Sequence, residues 1–141
     1  SYWGQHVDTR VQPLDAARVA QAIRPDYSLG SHVAPLGLAF APGPARADGQ
    51  QTMRWPQAFA SGAFVGQHGS WNRRPRSGYN VVFVPFREGR PAGLPITVLD
   101  GFVGAGGRAR GRPVSVAIDG RGALLVADDV GNAIWRVKPD S

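Results

Sequence analysis

Two arginines near the end of the chain have the spacing of an anion clamp. Arg110 and Arg112 alternate directly before Pro113, and on an extended backbone alternate side chains point the same way. Two guanidinium groups aimed together bind a carboxylate or a phosphate well. The alternative interpretation is a solvated, arginine-rich turn, and the residue types and spacing favour neither one.

Two histidines occupy polar, turn-rich stretches elsewhere in the chain. His32 stands three residues before Pro35, and His68 lies in the segment Gly66-Gln67-His68-Gly69-Ser70. Histidine transfers protons and pairs with anions near neutral pH. Taken singly, each is more often a surface or hydrogen-bonded loop residue than a ligand contact.

Three further residues have a functional and a structural interpretation. Trp71 is either a lid over a planar ligand or a packing residue at the base of its loop. Residues such as Asp128 and Asp129 most often just form a hairpin loop, here with Gly131 and Asn132.

The glycine-rich segment 104–107 is not a nucleotide-binding loop. It lacks a following Lys-Ser/Thr pair and a strand–helix context.

The elements that position these residues are written twice in the sequence. The segment Pro35-Leu36-Gly37-Leu38-Ala39-Phe40 returns 78 residues later as Pro113-Val114-Ser115-Val116-Ala117-Ile118. A second and a third apolar run follow each copy, with a polar, turn-rich stretch between them. A unit repeated at such a period is typical of repeat architectures, here with three or four short strands per unit.

The pattern predicts an all-β chain with little helix. A short helix is expected within 15–23, with Asp15 near its start and its end before Pro25. A tight turn at 119–122 joins two strands of the second unit. The predicted strands share short apolar runs bounded by Gly and Pro, and they cover 35–41, 61–67, 79–86, 96–99, 113–118, 123–127 and 133–138.

Four antiparallel strands per repeated unit describe the blade of a β-propeller. We therefore expect a partial propeller of about two blades. Residues 1–30 are a long connecting loop with the short helix, 31–101 a full blade with an irregular insertion at 42–58, and 102–141 a last blade of three strands. Because a propeller closes with about 4–8 blades, the chain is expected to be the C-terminal part of a longer protein. The alternative is a stand-alone sandwich of seven or eight strands.

Meandering connectivity decides which loops share a side of the blades. The loop that enters the first strand and the loop between the second and third strands fall on the same side. His32, His68 and the arginine pair are therefore predicted to converge on one mouth of the propeller. That mouth also receives Asp128 and Asp129.

Composition narrows the function classes. The chain has 141 residues, 43% of them apolar and 18% charged, and it contains no cysteine. That excludes disulfides and thiolate metal sites, and no apolar run reaches the length of a membrane span. The net charge of +6 is of the sign that a nucleic-acid-binding protein would carry. However, 15 of the 16 basic residues are arginines scattered through turns, so nucleic-acid binding is not expected.

Four segments together resemble a known family, the sorbosone dehydrogenase group, whose members are relatives of soluble glucose dehydrogenase. The resemblance covers about residues 1 to 138. Its segments occur in the family's order: Ser31-His32-Val33-Ala34-Pro35-Leu36-Gly37, Gly66-Gln67-His68-Gly69-Ser70-Trp71-Asn72-Arg73, Arg110-Gly111-Arg112-Pro113-Val114 and Val126-Ala127-Asp128-Asp129-Val130-Gly131-Asn132.

The resemblance implies a six-bladed propeller that binds pyrroloquinoline quinone (PQQ), with a Ca²⁺ ion bridging the quinone to the protein. In that family an alternating arginine pair binds the carboxylates of PQQ, and Arg110 and Arg112 match it. His68 stands where soluble glucose dehydrogenase has a lysine, which is a departure from the family pattern. The resemblance implies further cofactor contacts by Asn72, Arg73, Tyr27 and His32.

The resemblance also implies what lies outside the chain. The family's catalytic histidine and most of its Ca²⁺ ligands are upstream, so no catalytic residue and no metal ligand is assigned here. We expect the C-terminal portion of a PQQ-dependent sugar or aldose dehydrogenase that is inactive by itself, in a periplasmic or secreted protein. Its partners would be a sugar and an electron acceptor, without nucleic acid. The alternative is a propeller that binds proteins or glycans without catalysis.

Overall fold

The computed structural model describes residues 2–3, 6–43 and 53–139. Within them the chain forms short strands, one helix and two single 3₁₀ turns at Gln57–Phe59 and Ala105–Gly107. The helix α1 spans Ala16–Gln21. The strands are β1 (Tyr2–Trp3), β2 (His6–Val7), β3 (Pro35–Phe40), β4 (Gly62–Gln67), β5 (Asn80–Arg87), β6 (Arg90–Pro91), β7 (Ile96–Leu99), β8 (Pro113–Ile118), β9 (Leu124–Asp128) and β10 (Ala133–Val137).

The strands form two antiparallel meanders and one small pair. In the first sheet β3 pairs with β4, β4 with β5, and β5 with both β6 and β7. In the second sheet β9 lies between β8 and β10. The short strands β1 and β2 pair with each other. Antiparallel pairing of strands that follow one another in the chain is what the repeated, turn-bounded apolar runs predicted.

The all-β prediction is confirmed, and the predicted strands match the observed ones within one or two residues. The predicted helix is confirmed over Ala16–Gln21. It begins there because the Asp15 carboxylate caps it by accepting the N–H of Arg18 at 3.0 Å. The strands β1, β2 and β6 were not predicted. Each is two residues long, which is too short to show an alternation of apolar and polar residues.

One core joins the two sheets. Phe64, Val81 and Phe83 from the first sheet pack against Val116, Leu124 and Val126 from the second. The rings of Phe64 and Phe83 are 4.9 Å apart, and Trp55 lies 4.9 Å from Phe64. Burial of large aromatic and branched side chains is the main stabilising contribution of such a core.

The first sheet is apolar on both faces. Cross-strand neighbours share a face, so Val65, Val82 and Val84 form a second cluster on the side away from the second sheet. Tyr27, Leu29 and Phe86 pack on that cluster. A strand covered on both faces reads as a continuous apolar run instead of an alternating one, as in Gly62–Gln67, where every residue is buried.

The two inner strands, β3 and β8, approach each other closely. A Cβ on Gly37 would lie 2.7 Å from the Cα of Ser115 and 2.7 Å from the carbonyl oxygen of Val114. Only glycine permits this approach of two backbones. The first strands of the two sheets therefore lie side by side, as the inner strands of neighbouring blades do.

The predicted irregular insertion at 42–58 is only partly described. Residues 44–52 lie outside the described residues, whereas the end of the segment contributes to packing. The Trp55 indole Nε1 donates to the carbonyl oxygen of Gly122 at 2.8 Å, and Met53 N–H bonds to the Arg121 carbonyl at 3.1 Å. This end of the insertion therefore ties the first sheet to the β8–β9 turn. Among the described residues, no helix is long and apolar enough to cross a membrane.

Candidate functional site

Four connecting segments meet at one end of the two sheets. They are 30–34 before β3, 68–79 between β4 and β5, 108–112 before β8, and 128–132 between β9 and β10; we call them together the loop-end site. Backbone hydrogen bonds of 2.9 Å join His68 to Ala34 and Gly69 to Val33. Side chains join the other two segments to these, as described next.

Asp128 organises the two segments that belong to the second sheet. Its carboxylate is buried, with the residue 4% exposed. Oδ1 accepts the N–H groups of Arg112 and Gly131, both at 2.7 Å, and Oδ2 accepts the Trp135 indole N–H at 3.1 Å. Gly111 makes room for this carboxylate, because a Cβ there would collide with it.

The hydrogen bonds of Asp128 outweigh the effect of its burial. Burial by itself raises the pKa of a carboxyl group, because it disfavours the charged form. The backbone N–H groups of Arg112 and Gly131 and the Trp135 indole stabilise the charged form instead. The net result is that the pKa of Asp128 lies below its ordinary value. Asp128 is therefore an ionised anchor of the β9–β10 turn, in agreement with its structural interpretation.

Arg112 crosses from the second sheet to the first. Its Nε donates to the carbonyl oxygen of His68 at 2.8 Å, and its Nη2 donates to that of Gly69 at 2.7 Å. The guanidinium also lies over the Tyr79 ring, 5.1 Å from its centroid. These contacts hold the 68–79 loop in position against the 108–112 segment.

Tyr79 and Arg76 lock the same loop from the inside. Tyr79 is 3% exposed, and its hydroxyl donates to the carbonyl oxygen of Ser70. Arg76 Nη1 donates to the Tyr79 hydroxyl at 2.9 Å, and Arg76 Nε donates to the Gly107 carbonyl at 2.7 Å. The Tyr79 ring thus has two arginines against it, since Arg76 lies 5.5 Å from its centroid.

His68 is paired across the two sheets. Its Nε2 lies 3.1 Å from both carboxylate oxygens of Asp129. The His68 side chain is 19% exposed and that of Asp129 is 54% exposed, so the pair lies at the surface of the loop-end site. The carboxylate fixes the ring orientation and leaves Nδ1 as the second polar atom of the imidazole.

Arg110 and Arg112 do not share partners. Arg110 is exposed, and its backbone N–H bonds to the Phe102 carbonyl at 2.8 Å. Its guanidinium carbon lies 3.1 Å from the position that a Cβ on Gly104 would take. Arg110 therefore lies along the 102–108 segment with its charge exposed, whereas Arg112 bonds to backbone carbonyls of the first sheet.

Three other predicted contacts lie at the same end of the sheets. His32, Asn72 and Arg73 are all exposed, and Arg73 Nη1 lies 3.4 Å from the Ser31 carbonyl oxygen. His32 has φ of 61°, a left-handed conformation that is uncommon outside glycine. The segment before β3 and the 68–79 loop are therefore adjacent at their exposed tips.

Tyr27 lies apart from the other predicted contacts. Its hydroxyl donates to the Gly93 carbonyl at 2.9 Å, and Gly93 follows β6 at the far end of β5. Its ring packs on the outer cluster of the first sheet, which is formed by Val65, Val82 and Val84 on the side away from the second sheet. With Leu38, Phe40 and Phe86 it lines a cavity of about 530 Å³ on that face. The structure brings the six other predicted contacts to one end and places Tyr27 near the opposite one.

Sequence reasoning missed three residues that build the loop-end site. Asp129 was predicted to lie at the same mouth as His68 but was given only a turn role, although its carboxylate pairs with the imidazole. Tyr79 and Arg76 had no local signal at all, because a buried tyrosine between two arginines depends on contacts between loops. The pairing of His68 with Asp129 had one available signal, since the predicted connectivity placed both loops on the same side.

The site offers anion-binding chemistry. It presents the guanidiniums of Arg110 and Arg73 and the imidazoles of His32 and His68, which suit an anionic ligand, and one exposed carboxylate, Asp129, which is paired with His68. Throughout the described ranges, no three His, Asp or Glu side chains lie close enough together to hold a metal ion.

A family comparison matches nearly the whole chain. The family model described as TrAA12-like matches residues 5–140. An uncharacterized protein of Borreliella burgdorferi is 35% identical over 112 residues, which are 79% of this chain and 27% of that protein. The pyrroloquinoline quinone-dependent pyranose dehydrogenase of Coprinopsis cinerea is 36% identical over 78 residues, 55% of this chain and 9% of that enzyme. The chain thus spans a minor part of these relatives.

Two solved structures share the fold. The holo form of the pyranose dehydrogenase PQQ domain from Coprinopsis cinerea has a TM-score of 0.60 and 26% identity, covering 85% of this chain and 30% of that one. An iodide structure of a Trichoderma reesei enzyme of carbohydrate-active family AA12 has a TM-score of 0.59 and 21% identity, covering 87% of this chain and 29% of that one. The first likeness confirms the predicted all-β, partial-propeller fold class.

Proposed function

The chain belongs to the TrAA12-like family, and we propose that it forms the quinone-carboxylate contacts of a PQQ-dependent sugar dehydrogenase. Its similarity to a pyranose dehydrogenase and to the PQQ domain of that enzyme supports this function. Membership in the sorbosone dehydrogenase group is the finer part of the proposal. It depends on the four sequence segments that resemble that group.

The observation that carries the proposal is the joining of the two repeats at the loop-end site. Arg112 reaches from the second sheet to the His68 and Gly69 carbonyls of the first, at 2.8 and 2.7 Å. Arg110, His68 and Arg73 therefore present their charges or polar atoms at one end of the molecule. A tricarboxylate such as PQQ needs fixed cations of this kind.

The residues of the proposed site divide into two roles. Four of them are exposed and available to a ligand: Arg110, Arg73, Asn72 and His32. The His68 side chain is only 19% exposed and reaches the surface beside Asp129. Arg112 has committed Nε and Nη2 to backbone carbonyls, so it acts mainly by positioning the 68–79 loop. Its remaining Nη1 is the atom we assign to a quinone carboxylate.

Tyr27 is left out of the proposed site. Its contacts with Gly93 and with the outer cluster place it beyond the reach of a ligand held by the arginines. A strand of six residues spans about 20 Å at about 3.3 Å per residue. Tyr27 instead contributes to packing on the face of the first sheet.

When bound, PQQ supplies an acceptor for a hydride from the sugar carbon. The chain's own residues hold the quinone's negative charge and orient it. Because the donor set contains guanidiniums and an imidazole, it fits a carboxylate. The described residues include no group of three acidic or histidine side chains that could hold a metal ion, and we propose that a Ca²⁺ ion would take most of its ligands from elsewhere in the enzyme.

The rest of the proposed enzyme would supply the catalytic base. The chain covers 30% of the solved PQQ domain, and we assign none of its residues to proton removal from the sugar. The substrate is proposed to be a sugar or aldose, with a separate electron acceptor. A periplasmic or secreted location is part of the same proposal.

Measuring PQQ affinity in the full-length protein tests the proposal. Arg110→Ala removes an exposed charge without removing a bond that holds the loops together. Loss of one charge-assisted contact should cost about 1.5–3 kcal/mol, a factor of about 10–100 in Kd. The control is Arg87→Ala, which removes an exposed arginine at the end of β5 away from the site.

Two results would contradict the proposal. One is a PQQ affinity that Arg110→Ala leaves unchanged. The other is a wild-type protein that binds no PQQ, which would favour a propeller that binds other ligands without catalysis.

A further inference from the structure

We propose that Trp71 is the surface on which the pyranose ring of the substrate stacks. The inference rests on the proposed sugar dehydrogenase function and deepens it by assigning the substrate a position. The sequence allows two roles for Trp71, a lid over a ligand or a packing residue. The exposed fraction of its side chain distinguishes the two roles.

Trp71 is the most exposed of the three tryptophans whose side chains the structure describes; Trp135 is 46% exposed and Trp55 is half-buried. Its residue surface is 80% exposed. Trp55 packs against Phe59 and Phe64 and donates to a carbonyl, and the Trp135 indole donates to Asp128. A large aromatic side chain left in water gives up the stabilisation of burial. Packing among the residues that the structure describes therefore does not account for Trp71.

Ser70, the residue before Trp71, is held by several hydrogen bonds. Ser70 is buried, and its N–H bonds to the Ser77 carbonyl at 2.8 Å. Its hydroxyl accepts the Ser77 N–H at 3.1 Å, and its carbonyl accepts the Tyr79 hydroxyl and Arg76 Nη1. An exposed ring on a fixed backbone loses little conformational freedom when a ligand covers it.

Trp71 stands within the loop-end site. It follows His68 by three residues, and the imidazole of His68 is oriented by Asp129. Two residues after Trp71, Arg73 reaches the Ser31 carbonyl at 3.4 Å, beside His32. The exposed stretch 71–73 therefore runs from the His68 loop towards the segment before β3, along the edge of the proposed quinone site.

The chemistry of this stretch suits a neutral sugar better than the quinone. The indole offers an apolar face for the C–H side of a pyranose ring. The neighbouring Asn72 amide offers one acceptor and two donors to hydroxyl groups. The quinone's carboxylates, in contrast, match the guanidiniums of Arg110 and Arg112. Trp71 is thus assigned to the substrate and the arginines to the cofactor.

Steady-state kinetics and PQQ titration of the full-length protein separate these assignments. Trp71→Ala is expected to raise the KM for a pyranose substrate about 10-fold or more. The Kd of PQQ should stay within about twofold of the wild-type value. Trp71→Phe keeps an aromatic face and should retain most of the wild-type KM. Leu94→Ala, at an apolar residue that is 85% exposed near the far end of the sheet, should change neither quantity.

A fluorescence titration without PQQ provides a second readout. D-glucose, D-galactose and D-xylose are added to the wild-type protein and to Trp71→Phe. A change in tryptophan emission with at least one sugar, absent in the variant, supports the proposal. A response that persists in the variant, or none in the wild type, overturns it.

The kinetic experiment has its own contrary outcomes. An unchanged KM in Trp71→Ala overturns the proposal. A loss of PQQ affinity with an unchanged sugar response also overturns it, because the ring would then lie against the quinone. If the wild-type protein binds no PQQ, the proposed dehydrogenase function fails, and the PQQ-free sugar titration still decides whether Trp71 contacts a sugar.

Discussion

The Nε of Arg112 donates a hydrogen bond of 2.8 Å to the carbonyl oxygen of His68, 44 residues earlier in the chain. The bond joins equivalent ends of the two repeated units. It also makes the two candidate residues interdependent, because the arginine of one unit sets the position of the histidine loop of the other. The loop-end site is therefore a product of packing between sheets, and each sheet contributes part of it.

Replacing Arg112 should loosen the contact between the sheets. Arg112→Ala leaves the His68 and Gly69 carbonyls without their charged donors and removes the contact with the Tyr79 ring. We expect a loss of about 2 kcal/mol in the free energy of unfolding, measured by urea denaturation. Arg112→Lys should lose about half as much, since an ammonium group cannot bond both carbonyls as a fork does. A variant as stable as the wild type would show that the bonds contribute nothing.

Removing the Tyr79 hydroxyl should free the 68–79 loop. Tyr79→Phe keeps the ring between Arg76 and Arg112 but loses two bonds of the hydroxyl, the one it donates to the Ser70 carbonyl and the one it accepts from Arg76. Because Arg76 also donates to that carbonyl at 3.2 Å, we expect a loss of only about 1 kcal/mol. Hydrogen exchange should become faster at the Ser70 and Tyr79 amides and stay unchanged in β9. An unchanged hydrogen-exchange rate at the Ser70 amide would show that the Tyr79 hydroxyl does not hold the loop in place.

Asp128 should make stability depend on pH below the ordinary carboxyl range. Its pKa is lower in the folded protein than the ordinary value of 3.8, because the N–H groups of Arg112 and Gly131 and the Trp135 indole favour the charged form despite burial. The unfolded chain therefore binds the proton first as pH falls. The stabilisation is complete above about pH 5 and is lost as pH falls below 3.8 through the lowered pKa.

Asp128→Asn isolates that contribution. The free energy of unfolding should fall less steeply between about pH 4 and pH 2 in this variant than in the wild type. At pH 7 the variant should be less stable by about 1–3 kcal/mol, because an amide cannot accept from all three donors. Equal slopes in the two proteins would contradict the lowered pKa. Asp8, whose pKa is lowered to about 2 by hydrogen bonds from Arg10, contributes equally to both curves.

The chain by itself should not oxidise sugars. It spans 30% of the solved PQQ domain, and none of its residues is assigned as the catalytic base. An assay of the 141-residue chain with added PQQ and Ca²⁺ and an artificial electron acceptor should give no turnover above a protein-free blank. Substantial turnover would show that the chain holds a complete catalytic site.

The strands were predictable because their signal is local. Apolar runs bounded by Gly and Pro gave β3 to β5 and β7 to β10 within one or two residues, and the cap at Asp15 gave the helix. The predicted meander also placed His68 and Asp128 at the same end, since connectivity alone decides which loops share a side. Two-residue strands such as Arg90–Pro91 have no such signal.

The partners of the candidate residues were not predictable in the same way. Alternation suggested that Arg110 and Arg112 act as a pair, whereas Arg112 bonds to the first sheet and Arg110 stays exposed. Tyr27 was grouped with the site through resemblance, yet its hydroxyl bonds to Gly93 near the opposite end. Such outcomes depend on how two sheets pack, which no single segment of sequence encodes.

A crystal structure of the full-length protein with PQQ would show where the quinone lies. We expect a quinone carboxylate oxygen within about 2.7–2.9 Å of an Arg110 guanidinium nitrogen, with the His68–Asp129 pair at the edge of the same site. A quinone bound on the outer face of the first sheet beside Tyr27, or at any position that leaves Arg110 and His68 in solvent, would contradict this expectation.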